Sequence, residues 1–215
     1  AYYYALITHV DDQIGGVFAA LEEEGLWDDT LIIFTADHGE HLGDHGLIQK
    51  GPPGLDSCAH VPLIVKPPRA LAGSACRAGY SELIEAVDVA PTVLDYCGVQ
   101  IPPYFQGRSF RTLLVGEDYA PRRSAYIEYR DPFTSSWKTV RTQAYKYTVF
   151  TTERNVTPAR PATGELLFAL EKDPYEQRNV ADNPSFRGAL HEMRAELLRR
   201  WFTVENQYPL RTGRY

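Results

Sequence analysis

Cysteine is scarce in this sequence. Cys58, Cys76 and Cys97 are odd in number and contain no C-x-x-C pair, so a disulfide framework is disfavoured. Sparse, unpaired cysteine points instead towards a reducing, cytoplasmic setting. Long apolar runs are missing as well. No stretch approaches the roughly 18 continuous apolar residues that a membrane span needs. No basic run occurs and the net charge is −6, which argues against a nucleic-acid surface. A chain of this sign repels an anion at long range, so any anionic substrate has to be captured by positive charge placed locally. Neither an internal repeat nor a glycine-rich phosphate loop is found.

What is present is the composition of a globular protein. Hydrophobic residues make up 44% and charged residues 23% of 215 positions, enough for one large domain or one with a small companion. Tyr3, Ile7, Val10, Ile14, Val17 and Leu21 recur at steps of three and four, which predicts an amphipathic helix from about Tyr2 to Glu24, stopped by Gly25. Asp11 and Asp12 fall mid-helix, about 100° apart, so they cannot face one substrate and read as a solvated face. Leu31 to Ala36 reads as a buried strand, and helix followed by strand suggests half of a parallel α/β unit. Val61 to Val65 reads as a second buried strand, closed by Pro67-Pro68. Asp88 is placed to cap a helix from Val89 to about Cys97, with Pro91 in its first turn and Gly98 as its stop. From Ser124 the texture changes. Four short β-rich runs, 124–130, 137–142, 145–150 and 164–170, predict an antiparallel sheet, with an exposed loop between Thr151 and Thr163. Asn183-Pro184 opens a last helix whose Phe186, Leu190, Met193, Leu197, Leu198 and Trp201 form a core-packing stripe.

The chemistry concentrates in Leu31 to Gly51, LIIFTADHGEHLGDHGLIQKG. An apolar strand ends at Asp37-His38-Gly39, and the carboxyl end of a strand is where ligands sit in open α/β sheets. Asp37 offers a hard carboxylate and His38 an imidazole, both able to bind a divalent cation. Gly39 and Gly43 let the backbone turn beneath them. Lys50 follows in a Lys-Gly-Pro-Pro loop, where an ammonium could meet an anion. The zinc-protease pattern His-Glu-x-x-His is not met, because His41-Leu42-Gly43-Asp44-His45 lacks the Glu and contains a glycine. His41 and His45 therefore read as supporting or surface histidines. His60, just before the second strand, reads equally as a strand-end residue or a pocket residue.

TADHGE, LGDHGL and the Lys-Gly pair together resemble the second metal-binding segment of the sulfatases, in the alkaline phosphatase superfamily. The segments YYALITHVDDQIG, HVPLIVKPP, VDVAPTVLDYCGV, QGRSF, VRTQAYKY and LEKDPYEQRNVAD resemble further family segments in order, so the likeness covers nearly the whole chain. The resemblance implies an alkaline-phosphatase-like α/β sheet domain over residues 1–115. A small α+β subdomain, 116–215, would follow it with a four-stranded antiparallel sheet and a C-terminal helix. It implies that Asp37 and His38 bind a divalent metal, Ca²⁺ first, with Mn²⁺, Mg²⁺ or Zn²⁺ as alternatives, and that Lys50 holds an oxygen of the sulfate. The activity implied is hydrolysis of sulfate monoesters, or of phosphate or phosphonate esters by the same metal logic.

Family sulfatases use a formylglycine made within a Cys/Ser-x-Pro-x-Arg motif. None of Cys58, Cys76 or Cys97 lies in one, and neither the upstream aspartate pair nor the leaving-group histidine of the family is identifiable. Family members are much longer, and helical periodicity is already under way at Tyr3. The expectation is therefore a C-terminal half that works with an N-terminal half of the same protein, the latter carrying the formylglycine. A noncatalytic structural fragment is the competing expectation.

Overall fold

The computed structural model describes residues 2–51, 54–73, 79–130, 136–151 and 163–204. Cys76 and the loop predicted between Thr151 and Thr163 lie outside them. The elements in chain order are α1 (Tyr2–Glu23), β1 (Ile32–Thr35), α2 (Asp56–Ala59), β2 (Leu63–Lys66), α3 (Val89–Tyr96), α4 (Arg111–Val115), β3 (Ala125–Arg130), β4 (Ser136–Arg141), β5 (Tyr145–Thr151), β6 (Thr163–Ala169) and α5 (Arg187–Val204).

Gly25 adopts φ +68 just past α1, the left-handed stop its position called for. No residue of α1 is buried, however, and Ile7, Val10 and Val17 of the predicted apolar stripe are exposed. Only the far end is covered, where Phe18 meets Trp27 edge-on with ring centroids 5.3 Å apart. Ile14 and Leu21 of the stripe are half-buried, while Tyr3, Ile7, Val10 and Val17 stay exposed. The strands that follow depart from expectation too. β1 and β2 pair antiparallel, Ile33 opposite Val65, rather than joining a parallel unit. Phe34 and Ile64 are exposed, because a two-stranded ribbon leaves one face and both edges uncovered. The other face does pack: Leu63 and Val65 lie against Tyr96, Phe110 and Leu114 of the α3–α4 region.

The four-stranded sheet is a meander in the order β3-β4-β5-β6, every pair antiparallel. Because alternate residues leave opposite faces, each strand serves two neighbours. One face sends Val140, Tyr147 and Leu167 onto Leu190, Met193 and Leu197 of α5, the main core. Of the predicted α5 stripe, Leu198 and Trp201 are exposed instead, and Glu196 and Arg200 are buried with polar partners. The opposite face carries Trp137, Thr139, Arg141, Lys146 and Thr148 and turns towards the 54–56 segment.

Buried charge fastens these parts together. Lys146, 1% exposed, places Nζ 2.6 Å from Asp56 Oδ1 and 2.6 Å from Glu176 Oε1, while the Asp56 amide donates to Glu176 Oε2 at 2.7 Å. Asp88 does not cap α3. It is wholly buried, and its carboxylate accepts from the amides of Glu85 and Arg108 at 2.9 Å each and pairs with Arg122. Glu85 in turn pairs with Arg122 and with Arg200 of α5. No helix among the described residues is long and apolar enough to cross a membrane.

Candidate active site

The loop after β1 folds back on itself, and the reason is local. Gly39 is pressed against the 55–59 turn: its amide donates to Cys58 O at 2.8 Å, and a Cβ on Gly39 would lie 2.1 Å from Ser57 O. Close approach, rather than a turn, is thus what this glycine is for. Gly43, at φ +103, does serve a turn. Glu40 closes the loop, since its Oε1 accepts from the amides of both Leu42 and Gln49. The His41 amide donates to Gln49 O at 3.0 Å. Leu42, His45 and Gln49 all hold positive φ, a backbone cost tolerated where surrounding bonds fix the loop. The outcome is that Lys50 returns to His38.

Asp37, His38 and Lys50 line one cavity of about 870 Å³. Asp37 Oδ1 accepts from the His38 amide at 2.9 Å, and its Oδ2 is 3.5 Å from His38 Nε2. The imidazole Nδ1 lies 2.8 Å from Gly39 O. A carbonyl can only accept, so Nδ1 carries the hydrogen and the Nε2 lone pair is left bare. That lone pair accepts from the Lys50 ammonium at 3.0 Å. The Asp37 side chain is 86% exposed and that of His38 39%, so both are open to a ligand.

This donor set fits a divalent cation in part. A hard carboxylate stands beside an imidazole whose ligating nitrogen is fixed by a bond at the other nitrogen, the arrangement metal-binding histidines use. Two donors are fewer than a cation takes, and no group of three or more His, Cys, Asp or Glu placed to hold a metal ion occurs among the described residues.

The other histidines separate. His41 is buried, its Nδ1 2.8 Å from Ser57 Oγ, and supports the loop. His45 is exposed in the turn. His60 lines the cavity, with Nδ1 3.9 Å from Asp56 Oδ2. Cys58 lies beneath the loop, where burial pushes its thiol above the usual range. Asp11 and Asp12 are exposed on α1. Two features escaped sequence reasoning. Glu40 was visible only as part of TADHGE, and nothing local marks it as a loop clasp. The Asp56–Lys146–Glu176 cluster joins residues up to 120 positions apart, and its one sequence trace is a lysine alternating with Thr148 on a strand.

The Sulfatase family model matches residues 1–99. The multifunctional alkaline phosphatase superfamily protein PehA of Trinickia caryophylli is 35% identical over 210 residues, covering 89% of this chain and 38% of its own length. An arylsulfatase of Clostridium perfringens is 30% identical, covering 93% of this chain and 39% of its own. Among solved structures, the phosphonate monoester hydrolase of Agrobacterium radiobacter superposes with a TM-score of 0.80 at 30% identity, over 94% of this chain and 41% of that one. The chain thus spans about two fifths of the length of these relatives, with an alkaline-phosphatase-like α/β part and a small sheet-and-helix part. Segment order, fold and sequence likeness agree: residues 1–99 match the Sulfatase family model, and nearly the whole chain is similar to sulfatases and to phosphonate monoester hydrolases.

Proposed function

We propose that this chain supplies the cation-binding and anion-binding part of an enzyme that hydrolyses sulfate monoesters. The observation that carries the reading is the Asp37–His38–Lys50 clasp on the wall of a cavity. Asp37 and His38 would hold a divalent cation, Ca²⁺ first by ligand hardness, with Mn²⁺, Mg²⁺ and Zn²⁺ as alternatives. Held there, a cation would supply Lewis-acid polarisation of a nonbridging oxygen of the ester. Lys50 stabilises negative charge on the transferred group, in a place where the chain's overall charge gives no help. The nucleophile, a formylglycine by family likeness, comes from a companion segment of the same protein. In support, the exposed stripe of α1 and the open face of the β1–β2 ribbon await such a segment. The chain divides on this reading into a catalytic part, 1–115, and a small subdomain, 116–215.

A phosphonate or phosphate ester is the second substrate class, favoured by likeness to PehA and to the Agrobacterium enzyme. A purely structural role is the third reading. Titrating the chain with Ca²⁺ and Mn²⁺ while following its melting temperature tests the cation site. We expect saturable stabilisation that Asp37→Ala and His38→Ala each remove. An identical response in the variants refutes the assignment. Turnover of matched aryl sulfate, phosphate and phosphonate esters by the complete protein then ranks the substrates, and no turnover of any leaves the structural role.

A further inference from the structure

The cavity holding Asp37, His38 and Lys50 has a second wall, formed at the edge of the four-stranded sheet. Tyr129 on edge strand β3 and Trp137 on β4 are direct cross-strand partners, so their side chains leave the same face. The rings stack, with centroids 5.6 Å apart and planes 13° apart. Trp137 is 7% exposed, Tyr129 41%.

Gly54 fixes the buried ring. It sits at φ +72, and a Cβ there would lie 2.6 Å from the indole. Gly54 is four residues past Lys50. The lysine and the glycine beneath the indole are thus four positions apart in sequence, and the outer ring of the aromatic plate is Tyr129. Arg141 shares this face and also lines the cavity, but it is engaged by Asp56 at 3.4 Å. The wall thus offers ring surface more than free charge.

We propose that Tyr129, backed by Trp137, is the leaving-group subsite, and that it stacks a ring carried on the ester's bridging oxygen. The ring is an arene or the C–H face of a pyranose, since both present a flat apolar face to an aromatic side chain. The proposal rests on the ester-hydrolase reading above. With the anionic end at Lys50 and the ring at Tyr129, the ester is held at two points and its scissile bond lies between them. An acyclic leaving group reaches the lysine but gains nothing from the plate.

The test is ligand-observed NMR titration of the chain with 4-nitrophenyl sulfate, glucose 3-sulfate, ethyl sulfate and inorganic sulfate. Both ring-bearing esters are expected to bind tighter than ethyl sulfate. Tyr129→Ala is expected to weaken ring-bearing esters by about three- to tenfold and to leave ethyl sulfate unchanged. Tyr129→Phe keeps the plate and is expected to bind as the parent does. Tyr129→Leu keeps bulk without the plate and is expected to behave as Tyr129→Ala. Loss confined to the aryl ester assigns the plate to arenes, and equal loss for the hexose ester assigns it to sugars. If Tyr129→Ala binds every ligand as the parent does while Lys50→Ala weakens all four, the subsite is wrong and the anion site stands. If Lys50→Ala changes nothing, the ester-site reading itself falls. Failure of both ring-bearing esters to bind saturably overturns the subsite directly.

Discussion

Lys50 Nζ donates across 3.0 Å to His38 Nε2, the same lone pair that a cation would take. On the proposed reading, ammonium and metal would compete for one acceptor, and their charges would repel. Lys50→Met removes the competitor. The expected result is Mn²⁺ affinity about tenfold higher in the variant, since two like charges at this range in a wet site interact by about 1–2 kcal/mol. Electron paramagnetic resonance of free Mn²⁺ measures it. Unchanged affinity would mean that Lys50 stands away from His38 in solution.

The same substitution has the opposite sign on catalysis. In the complete protein Lys50→Met should lower the rate with an aryl sulfate by about 10²–10³, the usual loss when a preorganised charge donor is removed. Tighter metal with slower turnover is a pairing that general loop damage would not produce. Steady-state kinetics at saturating metal separates the two effects.

The elements that were legible in the sequence are those whose signal is local. The four strands of the small sheet, the Gly25 and Gly98 stops and the strand-to-loop change at Asp37 were read from alternation, left-handed glycine and polarity. Pairing direction was not legible, because Ile32–Thr35 and Leu63–Lys66 carry the same apolar pattern in either orientation. Asp88 looked like a cap because an aspartate before a helix usually is one. Its partners Arg108 and Arg122 lie 20 and 34 residues away, where no local pattern can point to them. The candidate triple was named because family likeness supplied its members, and the structure brings all three to one cavity; the hydrogen bonds of Glu40 that return Lys50 to His38 were not legible.

Gly39→Ala should disable the loop without touching a ligand. Its Cβ would meet backbone, Ser57 O at 2.1 Å, which cannot swing aside as a side chain would. We expect a loss of about 1–3 kcal/mol in stability, the range for forced overpacking. Displacement of His38 should also abolish cation-induced stabilisation. Urea melts with and without Mn²⁺ report both. An unaffected variant would show that the contact with the 55–59 turn is looser than described.

The 215-residue chain by itself should not hydrolyse 4-nitrophenyl sulfate. Its three cysteines lie outside any Cys/Ser-x-Pro-x-Arg segment, and the two candidate metal donors among the described residues would be too few to organise a nucleophile. A spectrophotometric assay with Ca²⁺ or Mn²⁺ present measures this. Turnover lost on Lys50→Ala would relocate the nucleophile to this chain.

Lys146→Met should be among the most damaging substitutions away from the cavity. It strands Glu176, whose side chain is 2% exposed, and removes the nearer cation of Asp56, which keeps Arg141 at 3.4 Å; the two carboxylates share the lysine's ammonium at 2.6 Å each. Removing one partner of a buried pair costs about 3–5 kcal/mol, because the remaining charge cannot be hydrated. Equilibrium unfolding in urea measures the loss.

Acid should then erase part of that difference. Burial raises the Asp56 pKa, but the charge and hydrogen bond of Lys146, with Arg141 and His60 behind them, outweigh it and hold the carboxyl below its ordinary 3.8. Glu196 is held low first by its bond to Arg199 and Glu165 first by its bond to Arg194, both below 4.5. A depressed folded pKa stabilises fully above the unfolded value and is lost as pH falls through the folded one. Parent stability should therefore be level from neutral pH down to about 5 and fall below about 4. In Lys146→Met the lowering partner is gone, so Asp56 should take up its proton at higher pH, and once protonated it no longer needs the ammonium. The gap between parent and variant should narrow from pH 6 towards pH 3, and urea midpoints across that range would show it. A constant gap would mean that the lysine contributes through packing of its stem rather than through its charge.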